Sequence, residues 1–219
     1  LYYPNISKIL FSALLIRILF ILIGHYIVPL PDSTADAVGQ ENEAWAIAQN
    51  GFFKLFDYYK GPDPRFHSWL IAIPYSIFGR SLLMAQSISL FLGIGCVFLG
   101  WKLAMKLWDY KTAKKIAWII ALFPSLILYS VLVLREVYIC FFLLIALIGV
   151  VNWVKDNKLS SIVLAMTGFT GAVFFHGAMA VGAMTFALVI GLVSLNRLFK
   201  SLLKYKLNTK ILIIFLLDT

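Results

Sequence analysis

The chain has 219 residues, of which 62% are hydrophobic and 13% charged, with a formal net charge of +9. Soluble domains run at roughly 45–50% apolar and about 25% charged, so this composition excludes a water-soluble globular domain and points to an integral membrane protein. In a soluble chain the positive charge would suggest nucleic acid; here it is assigned to loop lysines that set topology, and no nucleic-acid partner is expected.

A spanning helix needs about 20 mostly apolar residues. Runs at roughly 7–30, 83–105, 116–134, 137–154, 159–175 and 177–195 meet or approach that length, and a seventh begins near 211. An all-α membrane bundle of about seven helices follows, as one transmembrane domain over 1–219 with a loop at 31–80. The first run has no small-residue cleavage site and reads as a retained anchor. The chain starts at Leu1, and its last run, ILIIFLLDT, has about nine residues, so a truncated C-terminus and a missing N-terminal piece are expected.

Alternating the spans sorts the charges. Lys8, Lys102, Lys106, Lys111, Lys114, Lys115, Lys155, Lys158, Arg197, Lys200, Lys204, Lys206 and Lys210 fall on the side of the N-terminus. Lys54, Lys60, Arg65, Arg80 and Arg135 fall on the other, and Arg17 is left inside the first span. The positive-inside rule makes the N-terminal side cytoplasmic. Seven acids, Asp32, Asp36, Glu41, Glu43, Asp57, Asp63 and Glu136, lie on the extracytoplasmic side. The segment FHSWLIAIPYSIFG, residues 66–79, is too short to span and reads as an interfacial or re-entrant helix.

The loop at 31–80 is long enough to suggest function. LPDSTADAVGQENEAWAIAQNGFF reads as a helix that starts at Ser33 and stops at Asn50–Gly51. Ala37, Val38, Ala44, Ile47 and Ala48 supply its apolar side; Asp36, Gln40 and Glu43 share another. Asp36 has two readings: the third position of a capping box with Ser33, or a catalytic acid. Asp32 reads as a turn or cap residue, and Glu41 and Glu43 as a solvated face.

Further along, LVLREVYICFF keeps Arg135 and Glu136 between two apolar runs. A boundary charge in a membrane protein is a functional candidate by default; the bland readings are a mutual ion pair or a headgroup anchor. His176 ends the fifth span in FFHGAMAVG and reads either as a ligand for phosphate or sugar or as an interhelical bond. His25 and His67 lie on the same side. Gly168, Gly171, Ala172 and the small residues Gly177 through Gly182 read as close helix packing. Cys96 and Cys140 sit inside apolar runs as small core residues rather than a disulfide or metal pair. No metal cluster has recognisable ligand spacing.

The order of these pieces is informative. A membrane helix precedes a loop that opens with an acid; DAVGQENEAWAIAQNGF, YYKGPDPRFHSWLIAIPYSIFGRS and WIIALFPSLILYSVLVLRE follow. Together, over about residues 7–195, they resemble the GT-C superfamily of integral membrane glycosyltransferases, near the lipid-A arabinosyltransferase and protein O-mannosyltransferase group (glycosyltransferase family 39-like) and bacterial relatives. The resemblance implies a multi-pass protein of a bacterial inner (plasma) membrane with an extracytoplasmic site. It also implies a polyprenyl-phosphate-linked sugar as donor substrate, with membrane lipids and membrane proteins as partners. It puts the catalytic acid on Asp36, with Asp32 as second choice, and site roles on Arg135 and Glu136. Some relatives hold a divalent metal with carboxylates, here Asp36 with Glu41 or Glu43. The family's Tyr or His after the loop acid is replaced by Gln40 and Glu41.

That chemistry needs particular groups. A phosphate leaving group needs cations as its charge builds up, and the planar arginine fork suits phosphate. Arg135 is the expected clamp, assisted by Arg65 and Lys60. An acceptor hydroxyl needs a base within hydrogen-bond reach, here Asp36, with Glu136 orienting Arg135 or the acceptor. Two other classes compete: a lipid or small-molecule transporter, which predicts charges near the membrane midplane, and a non-catalytic scaffold subunit that keeps the fold.

Overall fold

The computed structural model describes residues 4–63, 65–193, 195–196 and 199–200. The seventh run near 211 and the cations Arg197, Lys204, Lys206 and Lys210 lie outside the described residues. The described residues are mostly helical, with no strand among them.

Eight helices build the first compact unit, Leu1–Met179. They are α1 Pro4–Tyr26, α2 Ala35–Ala48, α3 Phe66–Phe78, α4 Leu82–Leu107, α5 Tyr110–Leu122, α6 Pro124–Val131, α7 Glu136–Asp156 and α8 Leu159–Phe175. A short 3-10 segment, Phe52–Tyr58, joins α2 toward α3. The residues from Ala180 on form a second unit, and an apolar helix runs over Gly177–Val193.

Three helices are long and apolar enough to cross a membrane: Ile6–Tyr26, Leu82–Leu107 and Glu136–Asp156. The third expected span, 116–134, is two helices bent by 55° at Phe123–Pro124, and counting the pair as one span gives four. Its first helix begins at Tyr110, where Asp109 accepts from the Thr112 N–H at 2.9 Å as an N-cap. Pro124 explains the break: it has no N–H to continue α5, but it suits the first turn of α6. The expected spans at 159–175 and 177–195 are helical but short, as Leu159–Phe175 and Gly177–Val193.

The break leaves the last carbonyls of α5 without helical partners. Arg17, fully buried in mid-α1, fills the gap. Its Nη1 donates to the Ala121 carbonyl at 3.2 Å and to Ala13 in its own helix at 3.2 Å. Its Nε donates to Ser130 Oγ at 2.8 Å, and the Ser130 hydroxyl in turn donates to the Ile127 carbonyl at 2.8 Å. One cation therefore ties α1 to both halves of the bent pair. α4 passes close enough that a Cβ on Gly93 would meet Ser130 Cβ at 2.3 Å.

α7 and α8 pack backbone to backbone. A Cβ on Gly149 would meet Ala165 N at 2.3 Å, and one on Gly168 would meet Ala146 N at 2.3 Å. These are the small-residue contacts that membrane helices use. The expected close contacts at Gly168, at Gly171 and at buried Ala172 are present, whereas a Cβ on Gly177 would meet open space. Cys96 and Cys140 are free thiols, as expected of packing residues.

The loop forms a layer at one end of the bundle. Ala44, Ile47 and Ala48 of α2 pack on Ile71, Ala72 and Tyr75 of α3, with Leu55 beneath and Ala85 and Val133 from the bundle. The ends of α4 and α7 meet away from it, where Lys155 Nζ donates to the Lys106 carbonyl. The N-cap of α2 is Thr34 rather than Ser33, and no side chain caps it. The expected Ser33–Asp36 box is thus not formed, because Asp36 sits one position too early.

Candidate functional site

α2 carries acids on two faces with different fates. Ala37, Glu41, Ala44 and Ala48 are all buried, and their spacing of four, three and four residues puts them on one helical stripe. Glu41 is therefore not part of a solvated face: it is 5% exposed. Its Oε1 accepts from Tyr75 OH at 2.9 Å and from Arg80 Nε at 3.0 Å, while Oε2 accepts from Arg80 Nη2 at 2.5 Å. Burial alone would raise this carboxyl, but the bonds from Arg80 and Tyr75 and the Arg80 charge outweigh it and hold the group below the usual glutamate range. Burial, then the bond to Glu41, raises the Tyr75 phenol, so it stays a donor.

Asp36 and Glu43 take the other face, as expected, at a spacing of seven residues. That is about 10 Å along the axis at 1.5 Å per residue. Glu43 is half-buried, not a solvated residue, and pairs with Arg65 Nε at 3.3 Å. Asp36 is exposed and lines a cleft of about 380 Å³ with Asp32, Thr34, Tyr129, Leu134 and Glu136. The loop acid and the α7 acid thus meet. Arg135 itself is not among the residues that line that cleft, although its neighbours Leu134 and Glu136 are. Nor does an ion pair join Arg135 to Glu136 among the described residues. Arg135 is the residue that precedes α7, and its side chain makes no capping hydrogen bond there. It acts instead on His67: burial first, then the Arg135 charge, pushes that imidazole down to about 3.

Lys60 and Arg65 come together elsewhere. They line a cleft of about 410 Å³ with Glu43, Tyr58, Tyr59, Gly61, Asp63, Phe66 and Trp69. Asp63 Oδ1 accepts from the Arg65 N–H at 2.9 Å and shapes this turn. Three rings form one wall: Phe66 stacks on Trp69 at 5.7 Å, and Tyr59 tilts on Trp69 at 4.9 Å. Trp69 Nε1 is anchored on the Leu55 carbonyl at 2.8 Å.

The same three rings line a second hollow. Tyr59, Phe66 and Trp69 border an almost wholly apolar trough of about 590 Å³ that runs between α3, α4, α7 and α8 past Leu70, Ile88, Leu92, Tyr138, Phe142 and Phe174. The sequence reading missed this trough, because its walls come from four helices and no local spacing marks it. The aromatic density of YYKGPDPRFHSW was the available signal.

His176 follows α8, exposed, and lines none of these cavities. Asp36, Glu41 and Glu43 line three different ones, so they do not form a carboxylate set for a divalent ion. No group of three or more metal-ligating side chains occurs among the described residues. No protein-family model, curated protein or solved structure matches this chain. The long apolar helices are compatible with a multi-pass membrane protein.

Proposed function

We propose that this chain is a membrane glycosyltransferase of the GT-C kind, with the seven-helix bundle completed by the remaining runs. It moves a sugar from a polyprenyl-phosphate donor to an acceptor hydroxyl at the extracytoplasmic face, with the N-terminus cytoplasmic. The observation that supports this reading is that Tyr59, Phe66 and Trp69 border both the apolar trough and the charged cleft that holds Lys60 and Arg65 together with Glu43 and Asp63. A phosphate with a long hydrocarbon tail has that shape and that polarity. Lys60 and Arg65 meet the phosphate, and the trough takes the first isoprene units.

The reaction breaks the bond between the anomeric carbon and the phosphate oxygen and forms one to the acceptor oxygen. The electron pair stays on the phosphate, where the two cations offset its charge. The acceptor proton passes to Asp36. An in-line displacement needs phosphate and base well apart: the attacking oxygen sits about 3–3.5 Å from the carbon, and the base a further ~2.6–3.2 Å away. The ~10 Å rise from Glu43, beside Arg65, to Asp36 on the same face of α2 suits that file of atoms. Glu136 faces the acceptor from across the Asp36 cleft.

Purified protein in nanodiscs should bind undecaprenyl phosphate at least tenfold more tightly than undecaprenol. Lys60→Ala with Arg65→Ala should erase that difference. Asp36→Asn should keep donor binding and lose sugar release. Equal binding of the alcohol and the phosphate by the unmodified protein would reject the reading. The wholly acidic character of the Asp36 cleft favours one competing reading, a scaffold subunit with no transfer activity. That reading predicts no sugar release in any variant.

A further inference from the structure

Away from the loop layer, the α4–α5 and α7–α8 turns lie side by side, joined where Lys155 Nζ donates to the Lys106 carbonyl in the last turn of α4. The two turns and their flanks carry Lys106, Lys111, Lys114, Lys115 and Lys158, the last four of them exposed. The acids beside them are Asp109 and Asp156. Asp109 is engaged as the N-cap of α5, where it accepts from the Thr112 N–H. Among the described residues no carboxylate lies within ion-pair distance of any of these five lysines. Apolar side chains are interleaved with the charges: Leu107, Trp108, Val154 and Leu159 are all exposed.

We propose that this end of the bundle docks the headgroups of anionic phospholipids, with the lysines on the phosphates and Trp108 and its apolar neighbours among the glycerol and upper acyl groups. Like charges gathered at one end repel one another, and the chain supplies too few carboxylates there to offset them; an external anion does. The exposed tryptophan and aliphatic side chains select which anion. Inorganic phosphate or a nucleic-acid backbone would leave them in water. A lipid interface takes an aromatic ring at headgroup level and draws basic residues beside it. α4 and α7 are two of the helices long and apolar enough to cross a membrane, and both end here, so the lysines fall at headgroup depth. The surface shares no residue with the Asp36 cleft or the Lys60–Arg65 cleft, and lipid docking there does not depend on the transfer reaction.

Native mass spectrometry of the chain, released from micelles doped with equal amounts of palmitoyl-oleoyl phosphatidylglycerol and phosphatidylcholine, tests this. The parent should retain the glycerol lipid about tenfold or more over the choline lipid, since each basic residue near an anionic surface contributes about fivefold. Lys111→Gln, Lys114→Gln, Lys115→Gln and Lys158→Gln combined should abolish the preference, and Arg at the same four positions should keep it. Lys54→Gln, which removes an exposed cation from the loop layer, should leave it unchanged. Equal retention of the two lipids by the parent, an unchanged preference in the Gln variant, or its loss in the Arg variant or in Lys54→Gln would overturn the proposal. So would capture of a polyglutamate peptide in place of lipid, which would assign the surface to an acidic protein.

Discussion

Arg17 shows how one residue can hold a broken span together. Its hydrogen-bond partners are two carbonyls and a hydroxyl, and no carboxylate is among them. Ser130→Ala removes one partner from a buried charged donor, which costs about 1.5–3 kcal/mol for bonds of that kind. Reversible unfolding in mixed micelles should register that loss. Gly93→Ala should be at least as damaging, since its methyl would collide with the Ser130 side chain. Glu41 is the second such residue, and its effect has a definite pH sign. Its folded pKa lies below the unfolded glutamate value, about 4.3. The contribution is therefore fully present above that value and is lost as pH falls through the folded pKa. Melting temperature against pH should drop below about pH 4.3, and Glu41→Gln should flatten that limb of the curve.

At the scale of elements, the α7–α8 seam and the α2–α3 layer obey different rules. The seam depends on missing side chains: Gly149→Leu must push Ala165 backbone aside, and overpacking of this kind costs typically about 1–3 kcal/mol. Thermal unfolding should report the loss, and cross-linking between cysteines placed on the two helices should fall with it. The α2–α3 layer depends on one buried stripe and the Glu41–Arg80 fork. α2 lacks a side-chain cap, so its position rests on tertiary contacts rather than on its own start signal. Arg80→Ala should therefore loosen α2 and speed amide exchange in 35–48 ahead of the bundle helices, as hydrogen-exchange mass spectrometry would show.

Across the whole molecule, polar chemistry collects at the loop end, and Lys106 and Lys155 meet where α4 and α7 end. Arg17 is the charge at mid-span that a transporter would need, but its bonds to helix carbonyls occupy it in holding the fold. With the proposed orientation, Lys60→Cys should react with a membrane-impermeant maleimide added outside intact cells, and Lys106→Cys only after permeabilisation. The reverse pattern would invert the topology and move the Asp36 cleft to the cytoplasm.

The amino-acid order by itself determined that the chain is helical and apolar enough to span membranes, that a helix lies in the 31–80 loop, and that Asp36 and Glu43 share a face. These follow from run length and the 3.6-residue period, which are local properties. Even Glu41's burial had a local trace, since it falls within the Ala37–Ala44–Ala48 stripe. Only the tertiary structure decided its partner, because Arg80 lies 39 residues away. Only the tertiary structure brought Glu136 to the Asp36 cleft, placed Arg17 on the carbonyl at the α5 break 104 residues on, and opened a trough among four helices. Periodicity says which residues look the same way along one helix; what they look at is set by how the helices pack.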